Sequence, residues 1–149
     1  HLVDEDGDTP LHYAAYGNQP EIINLLLSRG AVVDVINNVR CSALHIAALK
    51  GQRDLCTLLL DAGAFRHLVD RNRFTPLHYA AYGNQPEIVD LLLSRGAFVD
   101  VVNNVRCSSL HVAAKNGYRD VCTLLLNAGA SLQLVDKDGD TPLHCAAYG

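Results

Sequence analysis

Hydrophobic positions along this chain come in two kinds of short block that take turns. One block reads L-H-x-A-A, and its histidine recurs at His12, His45, His78, His111 and His144, an interval of 33 residues every time. The other is an L-L-L run followed by a Gly-Ala pair, at Gly30, Gly63, Gly96 and Gly129. Polar segments separate the blocks. Thr9, Thr75 and Thr141 stand before Pro10, Pro76 and Pro142. That is an N-cap followed by proline at the first helical position, where its missing N–H costs nothing. Ser42 and Ser108 take the capping place in the other two blocks. Each L-H block therefore predicts a short inner helix. The L-L-L blocks predict outer helices near Glu21 to Ser28, Asp54 to Asp61, Glu87 to Ser94 and Asp120 to Asn127. They begin with acids that suit the positive end of the helix dipole, and they stop before a glycine suited to a left-handed C-terminal residue.

A single helix pair of this kind cannot bury its apolar face alone, so its stability must come from stacking on neighbours in a one-dimensional array. Ala14/Ala15, Ala47/Ala48, Ala80/Ala81 and Ala113/Ala114 are small enough to let adjacent pairs approach closely. The units fall at about residues 4–36, 37–69, 70–102 and 103–135, with a partial fifth at 136–149, all within one domain. The 33-residue period and the T-P-L-H-x-A signature resemble the ankyrin repeat, over essentially the whole chain. The resemblance implies an all-α solenoid of stacked helix-turn-helix units with short β-hairpin tips. It also implies that tips and inner helices line a concave surface that grips partners.

A second period is superimposed on the first. Laid over residues 67–132, residues 1–66 match at 49 of 66 positions. Natural duplication can produce this pattern, but near-identical blocks such as LHYAAYGNQPEI and NNVRCS point rather to an engineered or consensus-derived chain made by copying a two-repeat module. The odd units, through LVDEDGDTPLHYAAYGNQ, also resemble the ankyrin repeats of the mind bomb type of ubiquitin ligase, though no catalytic domain of such a ligase is found in the sequence.

Positions where one copy departs from its twin carry the functional information. Ile23/Val89, Ile36/Val102 and Leu55/Val121 are volume-similar core exchanges. The tip is different in kind: Glu5, Asp6, Gly7 and Asp8 become Arg71, Asn72, Arg73 and Phe74. Leu49 becomes Lys115 and Gln52 becomes Tyr118, while Val32/Phe98 and Phe65/Ser131 change after the outer helices. Arg40, Arg73 and Arg106 recur at one station per repeat. Arginine and aromatic residues most often dominate the energy of protein interfaces. Arg71, Asn72, Arg73 and Phe74 are therefore the expected anchors of a partner, with Lys115 and Tyr118 in support and Arg40, Leu49, Tyr82 and Arg106 at the margin. The alternative is that Phe74 folds back on its neighbours and the arginines form a solvated face.

Composition narrows the classes. Hydrophobic residues make up 49% of the 149 and charged residues 19%, which fits a soluble globular chain. A net charge of −4 argues against a nucleic-acid or acidic-membrane binder. Acids at the flanking tips (Asp4, Asp6, Asp8, Asp138, Asp140) oppose phosphate tracking past Arg66, Arg71 and Arg73. The start HLVDEDGD has neither the basic nor the apolar region of a signal peptide. Five cysteines, with no C-x-x-C pair, suggest reduced thiols rather than zinc or disulfides, and a cytoplasmic or other reducing address. Five of the seven histidines are the periodic ones, and a general base needed once is not made five times, so they are expected to bond backbone near the tips. His1 and His67 sit at hairpin-strand positions. No cofactor, metal, small-molecule substrate or catalytic motif is indicated. The expected function is non-catalytic binding of a protein with an acidic and apolar contact surface, the other half of a designed pair being one form of it. A design study of the fold with no intended ligand, and a substrate-recruiting fragment of a natural ubiquitin ligase, are the other readings.

Overall fold

The computed structural model of the protein describes residues 3–149; the hairpin-strand position expected for His1 lies outside the described residues. Nine helices, and no strand among the described residues, follow the pattern. The inner helices are α1 (Pro10–Tyr16), α3 (Ala43–Lys50), α5 (Pro76–Tyr82), α7 (Ser109–Asn116) and α9 (Pro142–Tyr148). The outer helices are α2 (Pro20–Ser28), α4 (Arg53–Asp61), α6 (Pro86–Ser94) and α8 (Arg119–Asn127), each starting one residue before the acid that marked it in the sequence. None of these helices exceeds 9 residues, a length at which an isolated helix is marginal in water. Packing therefore holds them. Inner helices stack on inner helices and outer on outer, giving a two-layer solenoid.

The core lies between the layers. Leu11, Leu44, Leu77 and Leu110 come from the inner helices and Ile23, Leu55, Leu59, Ile88, Leu92 and Leu125 from the outer ones, all essentially buried. Ala15, Ala47, Ala48, Ala80, Ala81 and Ala113 have no exposed surface, so the inner row packs at alanine distance. The closest approach is made by glycine. Gly83, after α5, has φ −79° and so does not need glycine's left-handed freedom. Instead, a Cβ built on it would overlap the carbonyl oxygen of Leu49 on the preceding inner helix. Asn84, at φ 53°, takes the left-handed place in that turn. In the even repeats the same turn uses Gly51 (φ 73°) and Gly117 (φ 72°) directly. Gly30, Gly63, Gly96 and Gly129 end the outer helices at φ between 85° and 93°, as the sequence indicates.

Successive repeats are registered by histidine. Thr9, Ser42, Thr75, Ser108 and Thr141 each point a backbone N–H at Nδ1 of the histidine three residues on, at 3.1–3.2 Å. A nitrogen that accepts carries no proton, so Nε2 carries it and donates. The acceptors are carbonyls of the next repeat: Cys41 for His12 (2.9 Å), Phe74 for His45 (3.1 Å), Cys107 for His78 (3.0 Å) and Asp140 for His111 (3.0 Å). Each link joins one inner helix to the following tip, 29 residues later. The four rings are at most 1% exposed.

Two measurements test this packing. Burial pushes the His45 and His78 imidazoles below the ordinary value of 6.5. Above that pH both folded and unfolded states hold them neutral. As pH falls below about 6.5 the unfolded chain takes up protons that the folded one resists. Stability is therefore expected to decline with a slope of up to about 1.4 kcal/mol per pH unit for each histidine, levelling once the folded state also protonates. Urea titrations between pH 8 and pH 5 read this directly. Separately, Gly83→Ala is expected to destabilise by about 1–3 kcal/mol through overlap with Leu49. Gly17→Ala, the same change in the first repeat at φ −84° with no such neighbour, is expected to be neutral or slightly stabilising.

Candidate functional site

Every tip is built on one side chain. Asp4, Asn37, Asp70, Asn103 and Asp136, again 33 apart, each accept with Oδ1 from the backbone N–H groups two and four residues on, at 2.8–3.1 Å. Aspartate and asparagine share this local chemistry. In the third tip the Arg73 N–H donates to the Asp70 carbonyl (3.1 Å) and the Asp70 N–H to the Phe74 carbonyl (3.0 Å). The result is a turn closed by one left-handed residue, the pattern of a short hairpin with a bulge. Neighbouring tips are joined by single backbone bonds: Asn38 N–H to Asp6, Arg71 to Val39, Asn104 to Asn72 and Lys137 to Val105, at 2.9–3.0 Å. One bond per tip makes a row of hydrogen-bonded turns rather than a strand ladder. The N–H of Asp140, above all, holds the Asp136 carboxyl below its usual value, so it is a firm anion.

The left-handed residue of each tip is the arginine station. Gly7 (φ 78°) and Gly139 (φ 82°) fill it without strain, whereas Arg40 (φ 64°), Arg73 (φ 65°) and Arg106 (φ 63°) occupy a region that costs a non-glycine residue about 1–2 kcal/mol. Arg71 lies beside them and donates from Nη2 to the Asn38 carbonyl at 2.9 Å. The ion pair among the described residues is Arg95 with Asp61, so none of the four tip arginines is paired to a carboxylate.

Phe74 does not project into solvent. It is half-buried, its ring edge-on to His78 (5.4 Å) and Tyr79 (6.2 Å), which is the folded-back arrangement among the readings of the sequence. Even so, it stands between two hollows on the tip side of the inner helices. The first, about 340 Å³, is lined by Phe74, Tyr82, Val105, Val112, Lys115 and Tyr148 among others. The second, about 260 Å³, is lined by Leu49, Asp70, Asn72, Phe74, Tyr79 and Tyr82. The structure thus brings together Leu49, Asn72, Phe74, Tyr82 and Lys115, with Arg40, Arg71, Arg73 and Arg106 on the tips beside them.

Tyr118 is separated from this group. Its backbone caps α8 in the turn after α7, away from the tips, and its half-buried ring packs against the core, which is where a large side chain at that turn finds apolar neighbours. Phe65 and Phe98 lie elsewhere again, after the outer helices, about half and two-thirds exposed. Phe98 stacks on the His67 ring at 4.3 Å and donates its N–H to His67 Nε2 at 3.0 Å. The sequence reading missed Val105, Asp136, Cys145 and Tyr148 in the first hollow. One signal for them was available: Tyr13 and Tyr79 align with Cys145, the single non-conservative exchange in three otherwise identical PLHxAAY segments.

No curated protein matches the chain. Family descriptions do: "Ankyrin repeats (3 copies)" over residues 33–103 and 99–149, and "Ankyrin repeat" over residues 6–38. These matches run over the stacked helix pairs, the histidine links and the tips alike, and so the chain belongs to the ankyrin repeat family.

Proposed function

We propose that this chain is a rigid, non-catalytic binder that holds a protein partner against the tips and inner helices of its second to fifth repeats. Ankyrin repeats are protein–protein interaction modules, and the finer reading extends that role to a named surface. One observation carries it. Arg73 is kept in a left-handed conformation at a station where the twin tips use glycine, it has no carboxylate partner, and it is flanked by Arg40 and Arg106 in the same posture. Strain retained without an internal partner is best accounted for by an external one. The arginines suit an acidic rim on the partner and speed its approach, while Phe74, Tyr82 and Leu49 offer apolar area for burial. The 49 identities in 66 support an engineered origin, with the third tip rewritten for a chosen partner.

Two features favour binding over catalysis. The imidazoles of His12, His45, His78 and His111 have both nitrogens engaged in fixed hydrogen bonds, leaving neither to move a proton. The five thiols are pushed upward by burial, away from the thiolate form needed for nucleophilic work.

The test is a tip exchange. Changing Arg71, Asn72, Arg73 and Phe74 to the Lys-Asp-Gly-Asp found at residues 137–140 is expected to leave the circular dichroism spectrum intact and to abolish capture of a protein held by the original chain. Capture that survives the exchange would sink the assignment to this tip. In a second test, Arg73→Gly alone is expected to leave stability unchanged or raise it by up to about 1 kcal/mol, because relief of left-handed strain exceeds the entropy that glycine adds to the unfolded chain. A chemical melt that shows a loss of more than this would mean that Arg73 is a structural residue.

A further inference from the structure

Repeats three and five differ at the side chain that fills one cluster, alongside the exchanges Asn72/Asp138 and Phe74/Asp140 at the tip. In repeat three the Tyr79 hydroxyl donates to Asp70 Oδ2 at 2.7 Å and lies 3.0 Å from Cys41 Sγ. Its ring meets the His45 ring edge-on at 5.0 Å. Adding 66 to each number gives the corresponding set in the last repeat: Asp136, Cys107, His111 and, in place of the tyrosine, Cys145. Its thiol stops 4.0 Å from Asp136 Oδ2.

The space left by the ring is open. The hollow beside repeat three touches Asp70 but reaches neither Cys41 nor His45, because Tyr79 covers them. The hollow beside repeat five reaches down to Cys107, His111, Asp136 and Cys145, with Lys115 and Tyr148 among its walls. Cys41 is buried under its tyrosine, and Cys107 is only half-buried. At about 340 Å³ the hollow lies at the small end of the range for ligand pockets. Asp136, Asp138 and Asp140 all line it, and of these Asp136 is the counterpart of Asp70: its first oxygen is already fixed by the Asp138 and Asp140 N–H groups, which leaves the second as the acceptor beside Cys145.

We propose that this pocket takes a phenol ring, presented by a tyrosine side chain of the protein partner, with the ring edge-on to His111 and the hydroxyl donating to Asp136 Oδ2. The partner would supply the side chain that the fifth repeat has given up. A hydroxyl-to-carboxylate bond is charge-assisted and short, so the pocket prefers phenol to an unsubstituted ring. The pocket rests on the comparison of repeats three and five; the tyrosine as its source rests on the protein-binding reading.

The probe is p-cresol (4-methylphenol), titrated into the isotopically labelled chain and followed by nuclear magnetic resonance, with toluene and N-acetyl-tyrosinamide in parallel. Saturable shifts centred on Cys107, Lys115, Asp136 and Cys145 are expected for p-cresol, with roughly tenfold weaker binding of toluene, about 1.4 kcal/mol less. Asp136→Asn keeps the tip, since Asn37 and Asn103 hold the same station, and is expected to bring p-cresol down to toluene's affinity. Cys145→Tyr restores the residue of Tyr79, and is expected to raise the melting temperature and abolish p-cresol binding. Absence of saturable shifts at these residues, or unchanged binding by Cys145→Tyr, overturns the pocket and leaves the tip-exchange result standing. Binding of p-cresol with exclusion of N-acetyl-tyrosinamide overturns the tyrosine source.

Discussion

The histidine in the first turn of each of the first four inner helices, buried and held at both nitrogens, is the interaction on which the rest of the molecule depends. One nitrogen accepts from the helix's own cap and the other donates to the tip of the next repeat. A buried polar group without partners costs more than a satisfied one returns, so the ring is tolerated only when helix start and following tip are both in place. That requirement fixes the register between repeats. It orients the inner helices, lets the alanines and Gly83 meet their neighbours, and sets the tips in a row at constant spacing.

Because the register is settled in the interior, the tips share one structural requirement, the residue that opens each turn, while contacts such as Arg71 to the Asn38 carbonyl are particular to one tip. The Asp or Asn that opens each tip gathers the backbone N–H groups of the turn, and the residues after it are free to vary. Such freedom explains how EDGD, NVRC, RNRF and KDGD can all cap the same framework. It also explains why the cost of three left-handed arginines is bearable: about 1–2 kcal/mol apiece falls on a turn whose bonds do not involve their side chains, and the stacked core offsets it.

Much of this was legible in the sequence, for a physical reason. Caps, prolines and terminal glycines act locally, so Thr9-Pro10 or Gly30 announces a helix end without knowledge of the neighbours. Periodicity then supplied the stacking. What was not legible depended on contacts between repeats. Gly17 and Gly83 look like left-handed stops, yet the following asparagines take that conformation, and Gly83 is needed for the approach of Leu49. Tyr118 looked like surface because its twin is Gln52, and only the packing of α8 shows where the ring goes. For Phe74 the sequence leaves two postures open, projecting or folded back, and only the contacts with His78 and Tyr79 give the folded-back one. The Cys145 hollow escaped because a small thiol in an apolar run carries no chemical signal until it is compared with the tyrosines it replaces.

The four histidine links have a mechanical consequence. They connect successive repeats one after another, so a load along the solenoid axis passes through the joints in series, and within each joint the histidine link shares the force with one tip bond and the packed helices. An array of this kind stretches as the sum of its joints and yields at the weakest. Extension should proceed repeat by repeat, each step releasing an imidazole from its carbonyl together with the tip bond beside it, and the molecule would respond to tension as a spring with discrete stops.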